Sequence, residues 1–252
     1  MKARGCGLLF VLAVTCAGNA WCESAPAVKA PQGEKGQKVT VVGCPSDGQT
    51  GPVAVPDAAE LAKWTPKLPQ ATAQKLAYYR SADIGVLAPR GWHCFGLYGS
   101  NGSMLIVAPE ALDANDFFGA APRPLTGPAV QVAISDGDTS GRFEVARIAA
   151  RLFPKRMDLV QAVIDEGAPA SDYPTGPFAG DIIKHRDGKK VVFETPADRE
   201  GMGTMSRLQK NAAPIDGVAM LAGDNALMMV ARVPKEFRRF FPVMVGHLSA
   251  RP

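Results

Sequence analysis

Asp136 and Asp138 stand at alternate positions, followed by Ser140 and Gly141. That spacing opens an oxygen-ligand loop of the kind that holds calcium, in which alternate side chains donate oxygen and a glycine permits the sharp turn. Its closing position needs a bidentate carboxylate, and there the chain has Arg147, a cation, with Glu144 as the nearest acid. Asp136, Asp138 and Ser140 are therefore weak metal candidates. A helix cap is the stronger expectation: Ser140, with Thr139 as fallback, accepts from the free N–H groups of the next helix while the aspartates favour its positive end.

His93 beside Cys94 has the composition of an activated thiol, since a thiolate needs a basic neighbour. On a strand, however, consecutive side chains point to opposite faces, and an exported cysteine is more often oxidised, so a disulfide is expected instead. The three histidines, His93, His185 and His247, show no helical ligand spacing, and a zinc site would have to be assembled wholly by folding. Gly99-Ser100-Asn101-Gly102 is one residue short of a nucleophile elbow and lies between two strand-like runs rather than between strand and helix. Gly201-Met202-Gly203-Thr204-Met205 lacks the Gly-Lys-Ser/Thr ending of a phosphate loop and reads as a flexible turn.

The elements that must position these residues centre on 84–110. Apolar β-leaning runs at 84–87 and 104–107 flank a strand at 94–98, and together they predict a small antiparallel meander closed by the Gly99 to Gly102 turn. Before it, 39–42 reads as a strand, 44–52 as a long loop, and 57–64 and 71–79 as helices. After it come a short helix at 111–115, a strand at 130–135, and helices at 142–153 and 157–165. Two hairpins follow, over 181–195 and 217–233, and a final helix opens at Pro234 and is interrupted at Pro242. Hairpin-joined strands with helices in the middle and at the end predict an α+β fold, a mainly antiparallel sheet with helices packed on it.

Residues 1–20 have the order of a signal peptide: Lys2 and Arg4, an apolar run, then Gly18-Asn19-Ala20. Residues 21–38 read as a flexible leader and 39–252 as a single domain. The mature chain is expected to be exported to the periplasm or beyond. It has no apolar stretch approaching the roughly 20 residues that spanning a bilayer needs. Lipid attachment at Cys16 or Cys22 is the rival, and neither has the usual lipoprotein context. Cleavage after Ala20 leaves Cys22, Cys44 and Cys94, of which Cys44 and Cys94 are the expected pair. The formal charge of +4 is spread along the chain, which argues against a nucleic-acid partner. Lys235, Arg238 and Arg239 are the nearest thing to a cluster and read as a solvated helix face.

The stretches GCPSDGQTGP, LAPRGWHCFGLYGSNGS, TSGRFEVARIAARLFP and TPADREGMGTMSRL resemble a family of uncharacterised exported bacterial proteins. The resemblance covers most of the chain from Val39 to Val233 and implies export, with no activity, ligand or site attached. The leading functional expectation is a non-enzymatic envelope protein, a binding or accessory module whose partner is another envelope protein or a small molecule, with no cofactor. The alternative is a secreted hydrolase whose site is assembled from distant residues, with Asp136, Asp138, His93 and His185 as donors.

Overall fold

The structure, a computed structural model, describes residues 36–250. The expected signal peptide, most of the expected leader and Cys22 lie outside the described residues. Backbone pairing begins two residues ahead of the expected domain start, with β1 (Gln37–Lys38) set against β4 (Lys67–Leu68). Between them run β2 (Thr40–Gly43), β3 (Ser46–Gly48) and α1 (Ala58–Lys63), the last capped by Asp57, whose carboxylate accepts from Glu60 N at 2.8 Å. The one-turn α2 (Gln70–Ala73) leads into β5 (Leu76–Arg80), β6 (Ile84–Pro89), β7 (His93–Gly99) and β8 (Gly102–Ala108).

The second half holds α3 (Asn115–Phe118), β9 (Ala129–Ser135), α4 (Arg142–Leu152) and α5 (Met157–Asp165). The hairpins β10 (Ile182–Arg186) with β11 (Lys190–Thr195) and β12 (Ile215–Ala222) with β13 (Asn225–Arg232) follow, then α6 (Phe241–Gly246) and β14 (Ser249–Ala250).

The fold is α+β, as expected, but the sheets are mixed rather than mainly antiparallel hairpins. One sheet has the order β10-β11-β12-β13-β9-β8-β7-β3 and another β14-β6-β5-β2. In them β3 runs parallel to β7 and β2 parallel to β5. Parallel neighbours are joined by long connections rather than by a tight turn, so no local turn residues announce them. The single meander over 84–107 is also corrected. β6 pairs with β5 in the smaller sheet, whereas β7 and β8 belong to the larger one. The chain crosses between sheets at Arg90–Trp92, where Gly91 has φ +86°.

Residues 71–79 are not a helix. After one turn the backbone extends into Leu76-Ala77-Tyr78-Tyr79-Arg80, every residue of which is buried. Aromatic side chains suit a pleated strand enclosed on both sides, and burial outweighs the weak helical spacing that Leu76 and Tyr79 offer. The helix placed at 111–115 forms later, at α3, and Pro242 opens α6 rather than kinking a longer helix. Residues 202–205 form a 3-10 turn with Met202 and Gly203 buried, so this segment is packed rather than flexible.

Strand alternation builds three layers. In β9, Val130, Val132 and Ile134 join Leu105 and Val107 of β8 in a core shared with Tyr79, Val86 and Leu87 of the smaller sheet. Their neighbours face the other way, where Ile106, Phe193 and Val230 pack on Val145, Ile148 and Leu152 of α4. The adjoining stripe of α4, Ala146, Ala149 and Ala150, takes Val160 and Val163 of α5. Small residues there let the two helices approach closely.

Cys44 and Cys94 are disulfide-bonded, as expected, with Cα atoms 5.4 Å apart. The bond joins the end of β2 to β7 and so ties the two sheets together. At the far margin of the larger sheet β10 is largely exposed, with an irregular register between Ile183 and His185.

Candidate functional site

α4 and α5 cover only part of the larger sheet's outer face. The strip over β8 and β9 is left as a groove of about 510 Å³, within the range of small-molecule sites. Alternation again decides its lining: Gln131, Ala133 and Ser135 are the β9 side chains that turn away from the shared core. Leu97, Met104 and Met228 add an apolar floor from β7, β8 and β13. Phe143 of α4 and Phe118 of α3 stand on the walls, and Phe118 is 57% exposed at the rim. An exposed aromatic beside a concave apolar strip marks a place where something docks more often than an isolated surface residue does.

The wall formed by residues 202–208 is fixed by a chain of side-chain hydrogen bonds. Asp181 accepts from Thr195 Oγ1 at 2.6 Å and from Met202 N at 2.9 Å, and Thr195 Oγ1 accepts from Gly203 N at 2.9 Å. Burial pushes the Asp181 carboxyl above its ordinary range, and these two donors oppose that shift. Ser206 Oγ donates to Gly203 O and accepts from Leu208 N. Gln131, 1% exposed, accepts from Arg207 N at 2.9 Å, so the backbone that carries Arg207 is held directly over β9. Arg207 lines the groove, with its guanidinium 5.3 Å from the centre of the Phe117 ring. Burial lowers its pKa.

The donors expected for a hydrolase are not brought together. His93 begins β7 and His185 lies on β10, with five strands between them, or roughly 29 Å at about 4.8 Å per strand. Asp136 and Asp138 follow the end of β9, whereas His93 lies at the level of its beginning, about 20 Å away along the strand. His185 Nε2 meets Asp187 at 3.1 Å on the exposed edge, and His247 caps α6. Among the described residues no group of three or more His, Cys, Asp or Glu is arranged to hold a metal ion. The Cys94 thiol is consumed in the disulfide.

The Asp136 turn does not cap α4 through Ser140. The cap position is Gly141, which approaches the Asn101 carbonyl so closely that an added Cβ would lie 2.3 Å from its oxygen. Thr139 organises the turn instead: its Oγ1 donates to Asp136 O at 2.9 Å and accepts from Gly141 N at 3.2 Å, while Asp136 accepts from Asp138 N. Ser140 Oγ meets only Ser100 Oγ, at 3.2 Å, in an exposed position. Thr139→Ala is accordingly expected to cost about 1 kcal/mol, and Ser140→Ala less than about 0.5 kcal/mol, in urea unfolding. The reverse order would restore Ser140 as the structural residue.

Sequence reasoning singled out none of the groove's central residues. Gln131 and Arg207 are lone polar residues in apolar or irregular stretches, and the one local hint was the run of hydroxyls at Thr204 and Ser206, whose side chains can bond nearby backbone. Against known proteins the chain matches no protein-family model, no curated sequence and no solved structure, so what the groove does must be argued from its own geometry.

Proposed function

We propose that this protein is a non-enzymatic binding module of the bacterial envelope, exported to the periplasm or beyond, and that the groove over β8 and β9 is where it takes a small ligand. The groove itself is the observation that carries this: about 510 Å³ of concave space with an apolar floor and a polar wall fixed in place. Export accords with the leader composition and with the buried Cys44–Cys94 bond, which persists in an oxidising compartment. Among the described residues no helix is long and apolar enough to cross a membrane. The hydrolase alternative lacks support, because His93, His185 and the Asp136–Asp138 turn lie far from one another.

Ala133 stands on the groove face of β9 and is the position at which added volume enters the groove. Wild-type protein is expected to bind a neutral hydrophobic fluorophore such as N-phenyl-1-naphthylamine with a single saturable signal. Ala133→Trp should abolish that signal while keeping the same far-ultraviolet circular dichroism. Undiminished binding by a folded Ala133→Trp protein would remove the groove as the working surface.

A further inference from the structure

We propose that the groove's ligand is an amphiphilic monocarboxylate, with its head taken by the Arg207 guanidinium and its apolar body by Leu97, Met104 and Phe118. This rests on the groove being the binding site and adds the chemistry of what enters it.

Two other guanidinium groups withdrawn from solvent, buried Arg232 and half-buried Arg238, are satisfied. Arg232 donates to the carbonyls of Gly127, Leu125 and Gln209, and Arg238 donates to Asp216 and Glu194. Arg207 differs: among the described residues its side chain makes no hydrogen bond and no ion pair, and its guanidinium lies over the Phe117 ring. A guanidinium carries five N–H donors in a planar fork, and leaving them unused in a half-buried place is costly unless an acceptor arrives from outside. Burial depresses its pKa, and no ion pair opposes the shift.

The head is limited to a single negative charge by the rest of the lining. Glu144 and Arg147, the other charged groups of the groove, pair with each other at 3.3 Å and offset one another, which leaves one positive charge. A carboxylate matches that charge and also matches the fork, because its two oxygens can accept parallel N–H donors. A phosphomonoester brings close to two charges, and the excess would face Glu144. The Arg207 backbone is already fixed by Gln131, so only the side chain has to be ordered when the anion arrives.

The test measures displacement of N-phenyl-1-naphthylamine from the full mature chain by decanoate, decyl phosphate and 1-decanol, for wild type, Arg207→Gln and Arg207→Lys. Wild type is expected to bind decanoate about 10- to 100-fold more tightly than 1-decanol, the worth of a hydrogen bond to a charged group. Decyl phosphate should bind more weakly than decanoate. Arg207→Gln should bring decanoate down to the level of 1-decanol and leave the alcohol unchanged, and Arg207→Lys should fall between the two. Equal affinity of decanoate and 1-decanol in wild type, or indifference of decanoate to Arg207→Gln, would overturn the assignment while leaving the groove intact. Preference for decyl phosphate over decanoate would overturn the monocarboxylate class. A fluorophore that never binds would instead remove the groove itself.

Discussion

Cys94→Ala is expected to lower the free energy of unfolding by about 2 to 5 kcal/mol, and Cys44→Ala by the same amount. The bond closes a loop with a sequence separation of 50, for which the chain-entropy account gives roughly 4 kcal/mol. Both cysteines are nearly or fully buried, so the variants also lose packing at the junction of the two sheets. The partner held there is weak by itself: β3 has only three residues and borders the larger sheet through its pairing with β7. Urea unfolding of the single variants and of Cys44→Ala/Cys94→Ala checks this. The double variant should be no less stable than either single one, since both remove the same bond. A loss under about 1 kcal/mol in all three would contradict the role given to the bond.

Arg238→Ala is expected to cost about 3 kcal/mol, the low end of what breaking a buried ion pair costs, because Lys184 remains beside the abandoned acid. Asp216 is 5% exposed and accepts from Arg238 Nε at 2.8 Å and from Lys184 Nζ at 2.9 Å, while Glu194 takes both cations at 2.7 Å. Arg238 is therefore a partner in a four-membered network rather than part of a solvated helix face. Burial pushes the Asp216 carboxyl up, and the hydrogen bonds from Arg238 and Lys184 outweigh it, so its pKa lies below the ordinary value. Hydrogen bonding from Lys184 lowers that of Glu194 likewise. Acids whose folded pKa is depressed contribute stability above their unfolded values, near pH 4, and lose it as pH falls through the folded values. Wild type should thus lose stability steeply below about pH 4, and the difference between wild type and Arg238→Ala should narrow there. A difference that stays constant from pH 7 to pH 3 would dissociate the network from acid sensitivity.

Local structure was legible wherever a local signal set it. Asp187-Gly188 and Gly223-Asp224 marked the two late hairpins, and Gly167 and Pro169 marked the close of α5, which spans Met157–Asp165 as expected. What escaped was long-range. Nothing near Ser46 indicates that its strand will lie parallel to β7, and nothing near Tyr78 indicates that it will be enclosed on both sides, which is what turns an apparent helix into β5. The groove escaped for the same reason. Its wall depends on Asp181, Thr195 and Gln131 reaching from three different strands or loops to one short segment, Gln131 across 76 residues, and Arg207 gains meaning only once its side chain is known to lack an ion-pair partner.

The exposed margin at β10 bears on how the protein behaves when crowded. A flat, apolar outer strand presents a row of unpaired backbone groups on which a second chain can build, the first step toward fibrils. β10 carries Ile182 at 51% exposure, yet it also carries Lys184 and Arg186, and its irregular register between Ile183 and His185 twists the backbone out of line. Strands stacked edge to edge there would bring the Arg186 cations together with misaligned hydrogen-bonding groups. The larger sheet therefore ends in a strand that discourages its own continuation by further copies of the chain.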